Sequence, residues 1–266
     1  MPTYNSEKFL QNALDSVRKQ IFCNYELIVV DGGSTDRTIE IINANNDLID
    51  KFISGPDRGQ SDALDKGFAA ATGNYFLWLN SDDLIAPNLL DLANNEICKN
   101  ITHWLNFGTV IIDEFEKIQE FFSVPRWQYT INRYYRPQVS APSCIFSASM
   151  YRETHGFDLR FRYTMDVDLW RTFIELGYQW HPLKIYGMAF RRHDGSKTNS
   201  SKVYETELNR LEANLMATKH DFDAKSLKYR AAAKLFRLLD CFYTDSINNF
   251  QWSERCFYDF LDSKRI

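Results

Sequence analysis

Two apolar runs, each ending in a polar cluster, constrain the fold of this 266-residue chain more than any other feature. Residues 25–31 are rich in β-branched side chains and run directly into the loop 32–36. Residues 75–79 run directly into Asn80, Ser81, Asp82 and Asp83, here called the acidic turn. Continuous apolar runs of this length are typical of strands buried on both faces of a sheet, and polar loops rich in Gly, Ser and Asp mark strand ends.

Segments with helical periodicity lie around these runs. Apolar residues recur at helical spacing in residues 6–20, where Ser6 is a candidate N-cap, and further helices are predicted at residues 38–45 and 61–71. A short strand is predicted at residues 51–54. The alternation predicts an α/β fold with an open, mostly parallel twisted sheet flanked by helices. Ligands of such sheets bind beyond the carboxyl ends of the strands, where both polar clusters are expected.

The chain divides into two predicted parts. Residues 1–203 carry the α/β pattern, and residues 204–266 predict a helical C-terminal extension. No strand is predicted before Pro2, although a sheet of this kind normally has a central strand there. The domain is therefore expected to lack its usual first strand, or to fill the position with another segment, because a vacant position leaves strand edges unpaired.

Composition argues against several classes of function. The net charge of −4 and the pI near 5.8 argue against nucleic-acid binding, which needs a basic face. The cysteines are scattered and odd in number, which favours a reduced cytoplasmic protein without a thiolate zinc site: Cys23, Cys98, Cys144, Cys241 and Cys256. The aromatic content of 15% predicts a Phe-rich core, with stacking platforms as the alternative. No apolar run is long enough to cross a bilayer, so a cytoplasmic location is expected, with peripheral attachment to the inner face of the cytoplasmic membrane as the alternative.

The acidic turn is the first candidate for a chemical site. Two adjacent carboxylates at a strand end suit Mg²⁺ or Mn²⁺, which prefer oxygen ligands. Adjacent residues of an extended chain point in opposite directions, so one of Asp82 and Asp83 is expected to bind the cation directly. The alternative is a turn that caps the helix expected near Pro87.

Asp166, in the sequence MDVDLW at residues 165–170, is the second candidate. It lies near the start of a predicted helix, where a carboxylate that projects into a cleft can take a proton from a bound hydroxyl. Asp166 or Asp168 capping the helix is the alternative, and for Asp168 a cap or a structural salt bridge is favoured.

Two further loops carry weaker signals. The basic loop 191–198, with Arg192 and His193, is suited to binding a pyrophosphate and to supplying a ligand to a cation. The alternative is an exposed basic loop that is only solvated. Asp31, at the end of its predicted strand, is suited to accepting a hydrogen bond from a pyrimidine or a ribose.

Taken together, these segments resemble the inverting family-two glycosyltransferases of the GT-A fold. The matching sequences are PTYN at residues 2–5, LIVVDGGSTD at 27–36, DRG at 57–59, ATG at 71–73, LNSDD at 79–83, GFD at 156–158, MDVDLW at 165–170 and RHDGS at 192–196. They occur in the order and at the spacing of that family, over about residues 2–200. Asp65 departs from the pattern, because the family commonly has Asn there.

The resemblance implies a role for each candidate residue. Asp83 would bind Mn²⁺ or Mg²⁺, with His193 closing over the metal-diphosphate and Asp82 next to the ribose or the sugar. Asp166 would be the catalytic base. The remaining residues would bind the nucleotide-sugar: Pro2, Thr3, Tyr4, Asp31, Asp62 and Arg192.

The function implied is transfer of a sugar from a nucleotide-diphosphate-sugar, with UDP-sugar expected, to a hydroxyl acceptor with inversion of the anomeric centre. A saccharide or lipid-linked acceptor in cell-surface polysaccharide synthesis is expected. Two alternatives remain open: a nucleotide-sugar-binding protein without turnover, and a nucleotidyltransferase. A nucleotidyltransferase would be expected to carry a Gly-rich phosphate loop at residues 5–8, and these residues include no glycine. Residues 225–237 mix basic and apolar side chains and predict either peripheral membrane contact or a helix packed on the catalytic domain.

Overall fold

The computed structural model describes residues 1–100, 102–124, 143–197, 203, 205–209 and 211. The strands are β1 Pro2–Thr3, β2 Ile28–Asp31, β3 Lys51–Ser54, β4 Tyr75–Leu77, β5 Leu84–Ile85, β6 Trp104–Ile112, β7 Ile118–Phe122, β8 Cys144–Ser147 and β9 His181–Arg191. The helices are α1 Leu10–Arg18, α2 Thr38–Ala44, α3 Gln60–Ala70, α4 Leu89–Asn100, α5 Ala148–Arg152 and α6 Met165–Glu175. The α/β class is confirmed.

The first sheet contains three parallel strands in the order β1-β2-β3. Strand β2 is buried along its whole length because helices cover both faces: Val29 packs with the residues of α1 and α2, and Ile28 and Val30 pack with Ala63 of α3. This explains why its sequence is a continuous apolar run rather than an alternating one.

The position expected to be vacant in this sheet is filled by β1. Pro2 pairs with Val30 and Thr3 with Asp31. Met1 extends the pairing, since its carbonyl accepts from the Val30 amide at 2.9 Å. The described first strand has two residues, which pair with the edge of β2, and the prediction that the domain lacks its usual first strand stays a prediction.

The second sheet is mixed, with the order β4-β8-β6-β9-β5, and β7 pairs with β6. Among the described strands of this sheet, only β6 and β9 run parallel, over a long register from Leu105 to Ile112. The segment 75–79 was predicted as a parallel strand following β3, whereas β4 pairs antiparallel with β8, Phe76 opposite Phe146. The pairing partner comes from about 70 residues downstream, and local periodicity carries no information about such a partner.

An aromatic cluster fills the space between α6 and the second sheet. Trp104, Phe146, Trp170 and Phe173 are fully buried, and the rings of Trp104 and Trp170 lie 5.5 Å apart. The prediction that aromatic residues fill the core is confirmed for this cluster.

The start of the first helix differs from the prediction. Helix α1 begins at Leu10 without a side-chain cap, and the Ser6 hydroxyl instead lies 2.8 Å from the Ser81 hydroxyl. Ser6 thus ties the first loop to the acidic turn.

Several sequence-based predictions lie outside the described residues. They are most of the extension 204–266 and the basic segment 225–237 within it. In the part of the chain that is described, no helix combines the length and apolar character needed to cross a membrane.

Candidate active site

The acidic turn joins β4 to β5 and brings its two carboxylates into different environments. Asp83 is completely buried. Its Oδ1 accepts from the Arg191 amide at 2.9 Å and its Oδ2 accepts from the Asn80 side-chain amide at 2.8 Å. Burial, together with the neighbouring Asp82 carboxylate, raises the pKa of Asp83 well above its usual range. The Asp83 side chain therefore fastens the acidic turn to β9.

Asp82 lies in the turn itself, which is closed by a hydrogen bond from the Asp83 amide to the Asn80 carbonyl at 3.3 Å, and its carboxylate has different neighbours from that of Asp83. The Asp82 side chain is 33% exposed, and its Oδ2 lies 3.1 Å from His193 Nε2. The Asp82 carbonyl accepts from Arg191 Nε at 2.9 Å, so the backbone beneath the carboxylate is fixed as well. The structure thus brings His193 to Asp82 and not to Asp83.

His193 is held by its surroundings. The Phe9 ring packs 4.8 Å from the imidazole, and the guanidinium of Arg191 lies 4.7 Å from the same Phe9 ring. The His193 amide donates to the Ser196 hydroxyl at 3.0 Å. Within the described residues, no group of three or more His, Cys, Asp or Glu converges into a ready metal cage. Asp82 and His193 form a two-residue pair with an exposed side.

Asp166 lies in the first turn of α6, as predicted. Its side chain is partly exposed, and desolvation raises its pKa to about 6, while the nearby Lys197 ammonium and the amides of the helix N-terminus oppose this rise. Helix α6 is anchored to the start of α3, where the Ser61 hydroxyl lies 2.8 Å from the Met165 sulfur. A carboxylate with this pKa is able to accept a proton near neutral pH.

Lys197 and Gln60 connect the surroundings of Asp166 to the acidic turn. Lys197 Nζ donates to Gln60 Oε1 at 2.7 Å, and Gln60 Nε2 donates to Asn80 Oδ1 at 2.7 Å. The Lys197 ammonium interacts electrostatically with both Asp166 and Asp82. Sequence reasoning did not single out Gln60, because a glutamine at a helix start carries no local signal of this contact.

Asp31 and Asp62 are already engaged by the protein. Asp31 is fully buried and accepts from the amides of Gly33 and Ser34, both at 3.0 Å, and from two serine hydroxyls, those of Ser34 and Ser54. Asp62 is paired with Arg58 and Lys66, and these partners lower its pKa to about 2. Their predicted contacts with the nucleotide stay predictions.

The other predicted substrate residues are spread over the fold. Pro2 and Thr3 are buried within β1, and only Tyr4 of that segment is exposed, at 64%. Arg192 is directed towards Glu120 of β7, at 3.9 Å, so the structure shows no contact between it and the Asp82–His193 pair. Its neighbour Arg191 is buried instead and binds the Asp82 carbonyl.

Asp65, where the family pattern commonly has Asn, serves the packing of α5. Its Oδ1 accepts from the Tyr151 hydroxyl and from the Phe157 amide. Both partners are donors, so an acceptor oxygen is what this position requires.

Several known proteins are similar in sequence to this chain. An uncharacterized glycosyltransferase of Rickettsia typhi is 28% identical over 80% of this chain and 67% of its own length. One from Haemophilus influenzae is 39% identical over 38% of this chain and 41% of its own length. The chondroitin synthase of Pasteurella multocida is 25% identical over 79% of this chain but 23% of its own length. This chain therefore spans about two thirds or less of these relatives.

Solved structures show the same fold. The mannosyltransferase PcManGT from Pyrobaculum calidifontis, in complex with GDP-Man and Mn²⁺, has a TM-score of 0.60 at 15% identity and covers 98% of this chain and 77% of that one. S. aureus TarS 1–349, in complex with UDP-GlcNAc, has a TM-score of 0.57 at 21% identity over 94% of this chain and 73% of that one. The fold is of the GT-A type. The sequence model of glycosyl transferase family 2 matches residues 1–155, which is more than half of the chain. This protein therefore belongs to glycosyl transferase family 2.

Proposed function

We propose that this chain transfers a sugar from a nucleotide-diphosphate-sugar to a hydroxyl group of a saccharide or lipid-linked acceptor, with inversion of the anomeric centre. A UDP-sugar is the proposed donor. One observation carries the proposal: Lys197 interacts electrostatically with both Asp166, whose pKa is raised to about 6, and Asp82, which forms a partly exposed pair with His193. A proton acceptor and a candidate cation-binding pair thus share one side of the fold.

The donor set of Asp82 and His193 fits a divalent cation. A carboxylate oxygen and an imidazole nitrogen 3.1 Å apart suit Mn²⁺, and carboxylate oxygen suits Mg²⁺. Two protein ligands leave coordination positions for the oxygens of a diphosphate. A cation held by Asp82 and His193 would supply positive charge to offset the charge that develops on the leaving nucleoside diphosphate. We assign Asp82 to the cation and Asp83 to holding the turn, because both Asp83 oxygens already accept hydrogen bonds.

Asp166 acts on the acceptor in this proposal. Its ionised carboxylate takes the proton of the acceptor hydroxyl, the hydroxyl oxygen forms a bond to the anomeric carbon, and the bond from that carbon to the diphosphate oxygen breaks. The nucleoside diphosphate leaves with the electron pair. A single displacement of this kind inverts the anomeric centre. Lys197 adds positive charge near both carboxylates, and its effect on Asp166 is to lower the pKa of that carboxyl and oppose the rise caused by burial.

The relatives support the choice of substrates. A solved structural neighbour contains UDP-GlcNAc and another contains GDP-Man and Mn²⁺. Chondroitin and hyaluronan synthases are among the similar proteins, which supports a role in polysaccharide synthesis. Peripheral membrane contact through residues 225–237 is part of the proposal and rests on the sequence alone.

A nucleotide-release assay tests the proposal. A panel of nucleotide-sugars is screened with Mn²⁺ by thermal shift, and the binding donor is then assayed for nucleoside diphosphate release with and without saccharide acceptors. We expect Asp166→Asn to lower kcat by a factor of about 10²–10⁴ while donor affinity is unchanged. Asp168→Asn is the matched control on the same helix, and its rate should stay within a few-fold of the wild type.

Two results would contradict the proposal. A transfer rate equal to that of the wild type in Asp166→Asn would contradict the assignment of Asp166 as the catalytic base. Tight donor binding with no nucleotide release for any acceptor would favour a binding protein without turnover.

A further inference from the structure

The carboxylate of Glu207 accepts hydrogen bonds from three consecutive backbone amides just before α6. Its Oε1 accepts from the Arg162 amide at 3.1 Å, and its Oε2 accepts from the Tyr163 amide at 2.7 Å and the Thr164 amide at 3.1 Å. The Thr164 hydroxyl donates to the same Oε2 at 3.3 Å. Successive amides that converge in this way form an anion-binding nest, which is here occupied by a side chain of the protein itself. Glu207 lies 43 residues beyond Thr164 in the chain, so this contact fastens a later segment to the start of α6.

The segment that carries Glu207 packs on the core next to α6. Residues 205–209 are helical. Leu208 and Leu211 are buried, and they belong to the same hydrophobic cluster as Met165 of α6. Side chains in a close-packed core have little freedom to move, so Glu207 presents its oxygens from a rigid support.

Thr164 links Glu207 to Asp166. Thr164 is fully buried, and its carbonyl accepts from the Asp168 amide at 3.0 Å, a hydrogen bond of the first turn of α6. Within the described part of the chain, the Thr164 hydroxyl donates to Glu207 and makes no capping hydrogen bond to the helix. The amides of Asp166 and Val167, which a capping side chain would otherwise serve, hydrogen-bond to the Asp166 carboxylate. The position of Asp166 thus depends on how Glu207 holds Thr164.

The carbonyl side of the same loop is tied to the acidic turn. Lys197 Nζ donates to the Arg162 carbonyl at 3.5 Å and to Gln60 Oε1 at 2.7 Å. The Gln60 side-chain amide in turn donates to Asn80 of the acidic turn at 2.7 Å. The loop 162–164 is therefore held from both sides, and Glu207 supplies the contacts on the amide side.

We propose that Glu207 is a positioning residue for the transfer reaction, which holds the start of α6 so that Asp166 meets the acceptor hydroxyl in the required geometry. This inference rests on the proposed function, because it names what keeps the proposed base in place. Without the carboxylate, the three amides have to find other partners, and the loop is displaced. A displacement of about 1 Å at a reacting group costs about 10² in rate. The first residues of the extension 204–266 then belong to the catalytic unit.

Glu26 offers a matched control elsewhere in the fold. Its Oε1 accepts from the Gly73 amide and the Thr72 hydroxyl, both at 2.9 Å, and also from the Thr72 amide. Glu26 fastens a loop by the same kind of contact, at the opposite end of β4 from the acidic turn. Glu26→Ala therefore measures the structural cost of losing such a contact. Glu205→Ala, exposed and in the same helical segment as Glu207, controls for the loss of a carboxylate there.

Steady-state transfer kinetics of the full chain separate positioning from folding. Glu207→Ala should lower kcat about 10²-fold, while the affinity for UDP with Mn²⁺, measured by isothermal titration, stays within about twofold of the wild type. Glu207→Gln keeps one acceptor oxygen for the amides, so it should recover about tenfold of that loss, and it decides the question if the alanine variant does not fold. Glu26→Ala and Glu205→Ala should keep kcat within about twofold, even if Glu26→Ala lowers the melting temperature as much as Glu207→Ala does.

Hydrogen exchange tests the same contact without turnover. The amides of residues 162–168 should exchange about tenfold faster in Glu207→Gln than in the wild type, because hydrogen bonds to a charged group are lost. Glu205→Ala and Glu26→Ala should leave the exchange of these amides unchanged.

The failures are distinguishable. A wild-type kcat in both Glu207 variants, or an equal loss of kcat in Glu26→Ala, would overturn the positioning role while the proposed function stands. Unchanged exchange at residues 162–168 in Glu207→Gln would also overturn it. If the wild type transfers no sugar to any acceptor, the proposed function fails and the positioning role fails with it, and faster exchange in Glu207→Gln then shows a structural contact only.

Discussion

Replacing Asp166 with Asn should lower kcat by a factor of about 10²–10⁴ and at the same time raise the stability of the protein at pH 8 relative to pH 5. Desolvation raises the pKa of Asp166 from 3.8 to about 6, so folding disfavours its ionised form. For a group whose pKa is raised on folding, the stability contribution is fully present below the unfolded pKa and is lost as the pH rises through the folded pKa. A shift from 3.8 to about 6 corresponds to a cost of about 3 kcal/mol at pH 8, and about 1.6 kcal/mol at pH 5.

Urea unfolding of the nucleotide-free protein measures this cost. The free energy of unfolding of Asp166→Asn relative to the wild type should rise by about 1.4 kcal/mol from pH 5 to pH 8. The amide also has an effect on stability that does not depend on pH, and this effect cancels when the two pH values are compared. Asp47→Asn should show no such gain, because its carboxylate is exposed and its pKa is lowered by Arg18. A difference for Asp166→Asn that stays constant between pH 5 and pH 8 would refute the reasoning.

Three further predictions follow from the site and its support. The kcat for transfer should fall about tenfold per pH unit below about pH 6, because only ionised Asp166 accepts a proton; a profile flat to pH 4.5 would contradict this assignment. Asp82→Asn and His193→Ala should each weaken Mn²⁺-dependent nucleotide binding about tenfold or more, as measured by thermal shift with and without Mn²⁺. His181→Ala, at the far end of β9 beside Glu96, is the control. Unchanged binding by the first two variants would contradict the assignment of the cation to Asp82 and His193. Gly187→Ala should lower the free energy of unfolding in urea by about 1–3 kcal/mol, because the added Cβ would stand 2.6 Å from Leu89 Cδ1 and 2.7 Å from Phe107 Cδ2. Gly73→Ala, whose added Cβ has its nearest contact at 3.5 Å, is the control. Equal stability of the two variants would argue against tight packing at Gly187.

The choice between Asp82 and Asp83 illustrates what a sequence leaves open. The alternation of side chains in an extended segment predicts that the two carboxylates point in opposite directions. The sequence does not say which one is buried, because that depends on where β9 passes. In the structure the Arg191 amide meets Asp83, and His193, two residues further on, meets Asp82.

The neighbouring carboxylates at the first sheet show the same limit. Asp31 lies at the end of its strand as predicted, but the loop that follows folds back and uses its oxygens. In the sequence, Asp57 stands out only as part of the DRG segment at residues 57–59. Its position over Gly32 depends on two loops that are 25 residues apart in the chain, so no local pattern indicates it.

The sequence by itself determined the α/β class, the helices near residues 10–18, 38–44 and 60–70, the strands β2, β3 and β4, and the position of Asp166 at a helix start, because these depend on periodicity and on local turn chemistry. The tertiary structure alone decided the antiparallel pairing of β4 with β8, the pairing of Pro2 and Thr3 with β2, and which of the described carboxylates, such as Asp83, are engaged in hydrogen bonds. Those features depend on partners distant in the chain, and burial and hydrogen bonding, rather than residue type, determine what a carboxylate is able to bind.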